Sequence, residues 1–269
     1  MNATRSQATT DSTPPSLFQS ERQQEIAALT REAGRVEVSD LAARFNVTTE
    51  TIRRDLSELQ TARVVRRVHG GAIAWETSWF EPLLSVRNDQ HDDEKRRIAR
   101  AAVLELPDTG SIIIDSGSTL SAFADAVPAA TSLRVVTNAL NIAQTLCDRT
   151  EADVIVLGGK VRRNTLAMVD SEAIAALSPI TVDTLFVSAD GLTSDGGLNT
   201  PYREEAALKH AMIRSARRVV ALIDHSKFGK EHFVRFAPWL DIDVLITNRE
   251  ADPADLAAIE AAGTSVVVT

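Results

Sequence analysis

Two adjacent arginine pairs stand about ten residues apart, Arg53-Arg54 within Thr-Ile-Arg-Arg-Asp-Leu (51–56) and Arg66-Arg67 within Arg-Arg-Val-His-Gly-Gly-Ala (66–72). A guanidinium is a planar fork of donors that can take a phosphate or a guanine edge through two parallel hydrogen bonds. One pair on a helix and the other on a neighbouring hairpin would suit a DNA duplex. A second set of candidates lies further on, where Asp115-Ser116-Gly117-Ser118-Thr119 follows the apolar run Ile112–Ile114. A small-residue loop between a strand and a helix exposes N–H groups that bind phosphate, and its hydroxyls add donors. Taken alone, that loop is equally an ordinary helix cap.

The elements that must hold the arginines follow from apolar spacing and capping residues. Ile26, Leu29 and Ala33 form a stripe over residues 21–33, closed by Gly34. Ser39 is placed to cap a helix over Asp40–Phe45, and Asn46-Val47 makes a turn. Thr48 caps a third helix whose buried seam is Ile52, Leu56 and Leu59, at i, i+4 and i+7. Thr49, Arg53, Arg54 and Ser57 fall off that seam, with Thr51 near the helix start. The β-branched run Val64–Val68, bounded by Gly70-Gly71, reads as one strand of a wing. The expected DNA contacts are Thr49, Thr51, Arg53, Arg54, Arg66, Arg67 and His69. The bland alternative is a three-helix packing module with solvated arginines, and a winged module that binds another protein is a further rival.

From Glu94 onward, helical stretches beginning near Glu94, Thr119, Ala139, Ser171, Glu204 and Ala254 alternate with short apolar runs. Those runs are Ile112–Ile114, Leu133–Val136, Val154–Leu157, Thr184–Val187, Val219–Ile223, Val244–Ile246 and Val266–Val268. This pattern predicts a mainly parallel sheet covered on both faces. Ligands of such sheets bind outside the carboxyl ends of the strands. The residues at those ends are small, polar or charged: Asp115, Ser116, Gly117, Ser118 and Thr119; Thr137 and Asn138; Gly158, Gly159 and Lys160, with Arg162; Asp190; and Lys227. They suit a polyhydroxylated anion, the carboxylates taking hydroxyls and the cations a phosphate. Glu204, Glu205 and Lys209 read more simply as a solvated helix face.

Composition sets the outer bounds. The chain has 269 residues, room for one large domain or two smaller ones. The expected division is a tail over 1–20, a winged helix-turn-helix over 21–74, a linker over 75–93 and an α/β domain over 94–269. Net charge is −8, yet residues 21–75 carry nine arginines against eight carboxylates, and Arg53 to Arg67 holds five arginines against Asp55 and Glu58. Local sign matters more than the total for a nucleic-acid footprint. The single cysteine, Cys147, allows no internal disulfide and reads as a core residue of an apolar helix. The start of the chain resembles neither a signal nor a transit peptide, and no apolar run nears the roughly 18 residues of a membrane span, so a cytoplasmic protein is expected. The histidines lack ligand spacing, so neither a metal nor a cofactor is expected. Trp75, Trp79 and Trp239 read as packing anchors.

Residues 36–45 (Val-Glu-Val-Ser-Asp-Leu-Ala-Ala-Arg-Phe), 47–56 (Val-Thr-Thr-Glu-Thr-Ile-Arg-Arg-Asp-Leu) and 65–72 (Val-Arg-Arg-Val-His-Gly-Gly-Ala) together resemble the DeoR family of bacterial transcription regulators. The second half is similar to that family's effector domain at Glu94-Lys95 with Ile98-Ala99, Asp115–Thr119, Thr137-Asn138, Gly158-Gly159, Asp190-Gly191, and Asp224 with Ser226-Lys227-Phe228. The resemblance implies a domain with the ribose-5-phosphate isomerase and CoA-transferase fold that senses a phosphorylated sugar without turning it over. It further implies a repressor of a carbohydrate operon with operator DNA, a sugar phosphate and its own copies as partners, at least as a dimer. Two positions depart from the family pattern: Ser118 stands where threonine is usual, and Asp170 puts a carboxylate near an expected anion site where glycine is usual. The rival in another class is an aldose–ketose isomerase with an attached DNA-binding head; against it, no tight Lys–Glu or Asp–Glu cluster is apparent in the sequence.

Overall fold

The computed structural model describes residues 19–33, 35–62, 64–68, 70–74, 84–89 and 91–269. Gly34, His69, Trp75, Trp79, Phe80, Leu83 and residues 1–18 of the expected tail lie outside the described residues. The chain falls into two compact units, residues 1–77 and 78–269. None of the described helices is long and apolar enough to cross a membrane.

The first unit comprises α1 (Gln19–Ala33), β1 (Arg35–Glu37), α2 (Val38–Phe45), α3 (Thr49–Thr61) and a hairpin of β2 (Val65–Val68) and β3 (Gly71–Ala74). Its core holds Ile26, Leu41, Phe45, Ile52, Leu56, Leu59, Val65 and Ala72. The seam of α3 is the expected one, and Thr48 caps that helix by accepting a hydrogen bond from the Thr51 N–H at 3.2 Å. Asn46 ends α2 in the left-handed region, φ 50°.

Three local readings are corrected: the start of α2, its capping residue and the inward face of α1. Helix α2 begins at Val38 with Glu37 as its cap, so Ser39 lies inside the first turn, where its hydroxyl donates to Asp40. The cause is β1, which pairs antiparallel with β3 and brings the chain straight from the sheet into the helix, Val38 N–H donating to Gly70 O at 2.9 Å. The third reading concerns α1: Leu29 is only partly buried and Ala33 is exposed, and the inward face instead carries Arg22, Ile26, Ala27 and Thr30. Two of these are polar, which hid the stripe. Thr30 donates to Ile26 O, and Arg22 Nε donates to Asp55 of α3 at 2.6 Å, an ion pair with side chains 10% and 1% exposed.

The second unit runs α4 (Leu84–Asp89), α5 (Asp92–Val103), β4 (Ser111–Ile114), α6 (Ser118–Ala126), β5 (Arg134–Thr137), α7 (Leu140–Arg149), β6 (Asp153–Val156), β7 (Val161–Arg162), β8 (Ala167–Met168), α8 (Ser171–Leu177), β9 (Val182–Val187), β10 (Gly191–Thr193), β11 (Gly197–Thr200), α9 (Arg203–Arg214), β12 (Ala216–Leu222), β13 (Val234–Ala237), β14 (Val244–Thr247), α10 (Pro253–Ala261) and β15 (Ser265–Val268). Seven strands make one parallel sheet in the order β15-β14-β12-β9-β4-β5-β6. These are the seven apolar runs read from the sequence.

Alternate residues of each strand serve opposite faces. Ile112, Ile114, Val135, Phe186, Val220 and Ile246 pack with Ile98, Phe123 and Ile142 of α5, α6 and α7. Ile113, Val136, Leu185, Val187, Ala221 and Leu245 pack on the other side with Leu177, Met212 and Ile259 of α8, α9 and α10.

A second sheet, β10-β11-β13, is antiparallel and was not legible, because its strands are three or four residues long and two of them begin with glycine. Trp239 is the anchor expected, buried with its indole N–H donating to Thr193 O at 2.9 Å. Cys147 is exposed, not core, because the inward face of α7 is Ile142, Ala143 and Leu146 and Cys147 lies one step round from it near the helix end.

The Arg22–Asp55 pair generates a prediction. Removing one member of a buried ion pair costs about 3–5 kcal/mol. Asp55→Ala is expected to destabilise the first unit by roughly that amount, read by urea unfolding of the full chain; a change below about 1 kcal/mol would count against the pair as the link between α1 and α3.

Candidate functional site

On the first unit, the seam of α3 faces the core and turns Thr49, Arg53 and Arg54 outward, all exposed. Arg53 lies 3.3 Å from Glu50 and Arg54 3.5 Å from Glu58. Exposed pairs of this kind are worth little, so both guanidinia can exchange these partners for phosphate or base edges. Thr51 is half-buried, its hydroxyl 2.9 Å from that of Thr48. In the wing, Arg66 and Arg67 are adjacent on β2 and therefore point to opposite sides. Arg67 leans back on the helix: its N–H donates to Gln60 Oε1 at 2.8 Å and its Nη1 to Ser57 Oγ at 2.8 Å. Ser57 and Gln60 thus tie wing to helix.

On the second unit, the sheet order reverses between β4 and β9, with β5 and β6 to one side and β12, β14 and β15 to the other. Such a switch point leaves a crevice at the carboxyl ends of the two strands. Here a cleft is lined by Ser116 and Gly117 after β4, Ser188 and Asp190 after β9, Glu205 and Lys209 of α9, Arg87 of α4, and Thr165. Its unfilled interior is about 10 Å³, room for about one water.

Lys209 sits at its floor, 2% exposed. It forms an ion pair with Asp115, lies 3.5 Å from Glu205 and donates to Ser188 O at 3.0 Å. Burial alone would push the Lys209 ammonium down, but Asp115 and Glu205 beside it hold it well above the usual lysine range. Glu205 in turn accepts from Arg162 at 2.8 Å, whose guanidinium stacks 4.0 Å over the Tyr202 ring. Asp190 accepts from Thr200 Oγ1 at 2.8 Å and meets Arg87 Nη2 at 3.5 Å. Burial works to raise its carboxyl, and Arg87, Lys209 and Lys227 keep it below the usual range.

Two more lysines belong to this charge field. Burial, with Arg87 adding to it, lowers Lys227. Lys95, which donates to the Arg87 carbonyl, is brought down to about 8, mainly by burial, with Asp224 opposing and Lys227 and Arg87 adding to the fall. The cluster counts five cations (Arg87, Lys95, Arg162, Lys209, Lys227) against four carboxylates (Asp115, Asp190, Glu205, Asp224). Asp92 and Lys230 lie at the margin of this field and cancel, and the residues that line the cleft are balanced, Arg87 and Lys209 against Asp190 and Glu205. Thr165 Oγ1 is buried at the cleft with no hydrogen-bond partner among the described residues.

The sequence-derived set divides. Asp115, Ser116, Gly117 and Asp190 come together, with Lys227 within electrostatic reach and Arg162 acting through Glu205. Ser118 and Thr119 are the buried first residues of α6 and do not line the cleft. Thr137 and Asn138 do not line the cleft: Thr137 Oγ1 accepts from the Ala139 N–H, and Asn138 Nδ2 donates to Met168 O while its Oδ1 is buried with no partner among the described residues. Gly158, Gly159 and Lys160 also stand outside the lining, in a loop held by Asp170.

That carboxylate accepts from the Lys160 N–H at 2.6 Å and caps α8 through the Ala173 N–H at 3.2 Å; these bonds, Lys160's first, hold it below the usual range. Gly159, at φ 118°, admits the approach: a Cβ there would lie 2.2 Å from Asp170 Oδ1. Asp170 is thus a loop clamp and does not line the cleft. Glu204 is solvated as expected, but Glu205 and Lys209 are not; with Asp115 they form the tight cluster that the sequence did not reveal. Their i, i+4 spacing beside Ala206, Leu208 and Met212 was the available signal. Arg87, in an irregular stretch, gave none.

Residues 22–78 match the model of the DeoR-like helix-turn-helix domain, and residues 90–249 that of the DeoR C-terminal sensor domain. The chain is 33% identical over 238 residues to the glycerol-3-phosphate regulon repressor of Escherichia coli, covering 86% of this chain and 92% of that one. It is 30% identical over 253 residues to the transcriptional repressor GlcR of Bacillus subtilis, covering 94% and 97%. Among solved structures, the full-length sorbitol operon regulator SorC of Klebsiella pneumoniae matches at 12% identity and TM-score 0.42, over 89% of this chain and 98% of that one. Ribose 5-phosphate isomerase A of Neisseria gonorrhoeae matches at 18% and 0.39, over 53% and 56%. Likenesses at that level say nothing about chemistry. With both of its units matched and its curated relatives spanned almost end to end, the chain belongs to the DeoR family of transcriptional regulators.

Proposed function

We propose that this chain represses a carbohydrate catabolic operon, binding operator DNA through its first unit and releasing it when a phosphorylated sugar or related metabolite fills the cleft of the second. The observation that supports the sensor half is a cluster of buried and half-buried charges, five of them cations and four carboxylates, at and beside a cleft at the sheet's switch point, with the Thr165 hydroxyl, unpartnered among the described residues, inside it. The ligand's phosphate lies against Ser116 and Gly117, near the first turn of α6, whose N–H groups have no intrahelical acceptor. Its hydroxyls extend toward Asp190 and Lys227. Relatives named for a glycerol-3-phosphate regulon and for repression support the assignment. The repressor acts in the cytoplasm as a homo-oligomer, at least a dimer, since a single winged head has a small interface and two heads read two half-sites.

A second reading, turnover of a sugar phosphate, has the Lys209 cluster in its favour. The same cluster weakens it. A lysine held charged by two carboxylates, one of them also bound by Arg162, is a fixed charge and a poor proton shuttle at neutral pH. Isomerisation of pentose or hexose phosphates by the purified protein would restore that reading.

On the DNA face, Arg53 and Arg54 make the main contacts, supported by Thr49, Thr51, Arg66, Arg67 and His69. Arg53→Ala or Arg54→Ala is expected to cost about 1–3 kcal/mol in operator affinity and to relax sequence preference. Gel-shift titration measures this, and unchanged affinity in the double variant removes the assignment. Light scattering at micromolar concentration should find no monomer, with or without DNA.

At the cleft, Lys227→Ala is expected to weaken glycerol 3-phosphate binding at least tenfold without shifting the melting transition, while unphosphorylated glycerol does not bind. Affinity should also fall as pH rises through about 8, where Lys95 loses its proton. An anion favours the protonated lysine, so binding is tighter below that pH and weaker above it. Calorimetry at pH 7 and pH 9 reads both effects; equal affinity at the two pH values removes Lys95 from the site, and binding of the neutral sugar alone contradicts the phosphate site.

A further inference from the structure

The cleft is closed by its own side chains. With room for about one water, it admits no sugar phosphate unless a lining group moves. Most of that lining is fixed: Ser116, Gly117, Ser188 and Asp190 follow the central strands, and Glu205 and Lys209 belong to α9, which is packed in the core. Arg87 differs. It stands on α4, a helix of six residues, and meets Asp190 at 3.5 Å, a longer contact than the 2.8 Å between Arg162 and Glu205. Asp190 does not depend on that contact, since Thr200 donates to it at 2.8 Å and Lys209 and Lys227 also stabilise its charge.

We propose that Arg87 is the receptor for the ligand's phosphate and that Asp190 is a built-in competitor, occupying the guanidinium until the ligand displaces it. This rests on the reading of the cleft as a phosphate site. A phosphate dianion offers the planar fork two acceptors and twice the charge of one carboxylate, so it wins the guanidinium when it reaches Ser116 and Gly117. Asp190 keeps its bond from Thr200, and the repulsion between the two anions is offset by Lys209 and Lys227. Thr165 Oγ1, unpartnered in the same cleft, supplies a further donor. The exchange changes what holds α4, the first described element after the boundary at residues 77 and 78, so the ligand acts on the segment nearest in sequence to the DNA-binding unit.

The test is calorimetry of the full chain with inorganic phosphate, which has no sugar hydroxyls for Asp190 to bind. Arg87→Gln should weaken phosphate at least tenfold, and Arg87→Lys, which keeps the charge without the fork, should fall between it and the parent. Asp190→Asn should tighten phosphate at least threefold, and the double variant should be as weak as Arg87→Gln. Unchanged affinity in Arg87→Gln, or weaker binding in Asp190→Asn, overturns the proposal. If Asp190→Asn fails to melt cooperatively, the two Arg87 variants decide alone. If Lys227→Ala weakens phosphate and Arg87→Gln does not, only this assignment falls; if the parent binds neither phosphate nor glycerol 3-phosphate, the cleft reading falls with it.

Discussion

A lysine ammonium removed from water has to be met by carboxylates and carbonyls, and the geometry of the sensor cleft follows from meeting that demand at Lys209. Asp115 comes from the end of β4, the Ser188 carbonyl from the end of β9 and Glu205 from one turn earlier on α9. One buried charge therefore cross-links the two strands at which the sheet order reverses to the helix that covers them. Asp115 and Glu205 are largely spent in this role, and Glu205 also holds Arg162. Under the proposed reading an anion in the cleft would meet Arg87 directly, with Lys227 and Lys95 adding charge from outside the lining. An interior of this kind is costly to assemble and costly to leave half-satisfied, which is why its members come from so many separate elements.

Legibility in the sequence tracks the range of the forces involved. The five inner strands of the parallel sheet were readable because they are buried on both faces and need a continuous apolar run, as Ile112–Ile114 and Val219–Ile223 show, and the mostly exposed edge strands β6 and β15 because their runs are β-branched. The seam of α3 was readable because Ile52, Leu56 and Leu59 keep a helical period, and Thr48 because capping is a local contact. Asp115, Ser116, Gly117 and Asp190 could be picked out as strand-end residues, since topology alone brings such loops to one edge.

The rest failed for identifiable reasons. Arg22 and Asp55 neutralise one another across 33 positions, so neither looks like core when read singly. Glu205 and Lys209 look like a solvated pair until Asp115, 94 residues from Lys209, is set beside them. Thr137, Asn138 and Gly158 stand at strand ends of the same sheet but outside the cleft lining, a separation that strand-end composition alone does not reveal. Asp170 stood out in the sequence as a carboxylate where the family usually has glycine, and its use in accepting the Lys160 and Ala173 N–H groups could not be read there.

The third strand of the wing sheet has a mechanical consequence. Because β1 hydrogen-bonds to β3 and passes without a spacer into α2, the hairpin cannot hinge as a flap on its own two stems. Arg67, bonded to Ser57 and Gln60, braces the same hairpin against α3 from the other side. The head therefore behaves as a rigid gauge. It meets a duplex with a fixed interval between the start of its helix and the strand carrying Arg66, and any mismatch in groove width must be absorbed by bending of the nucleic acid.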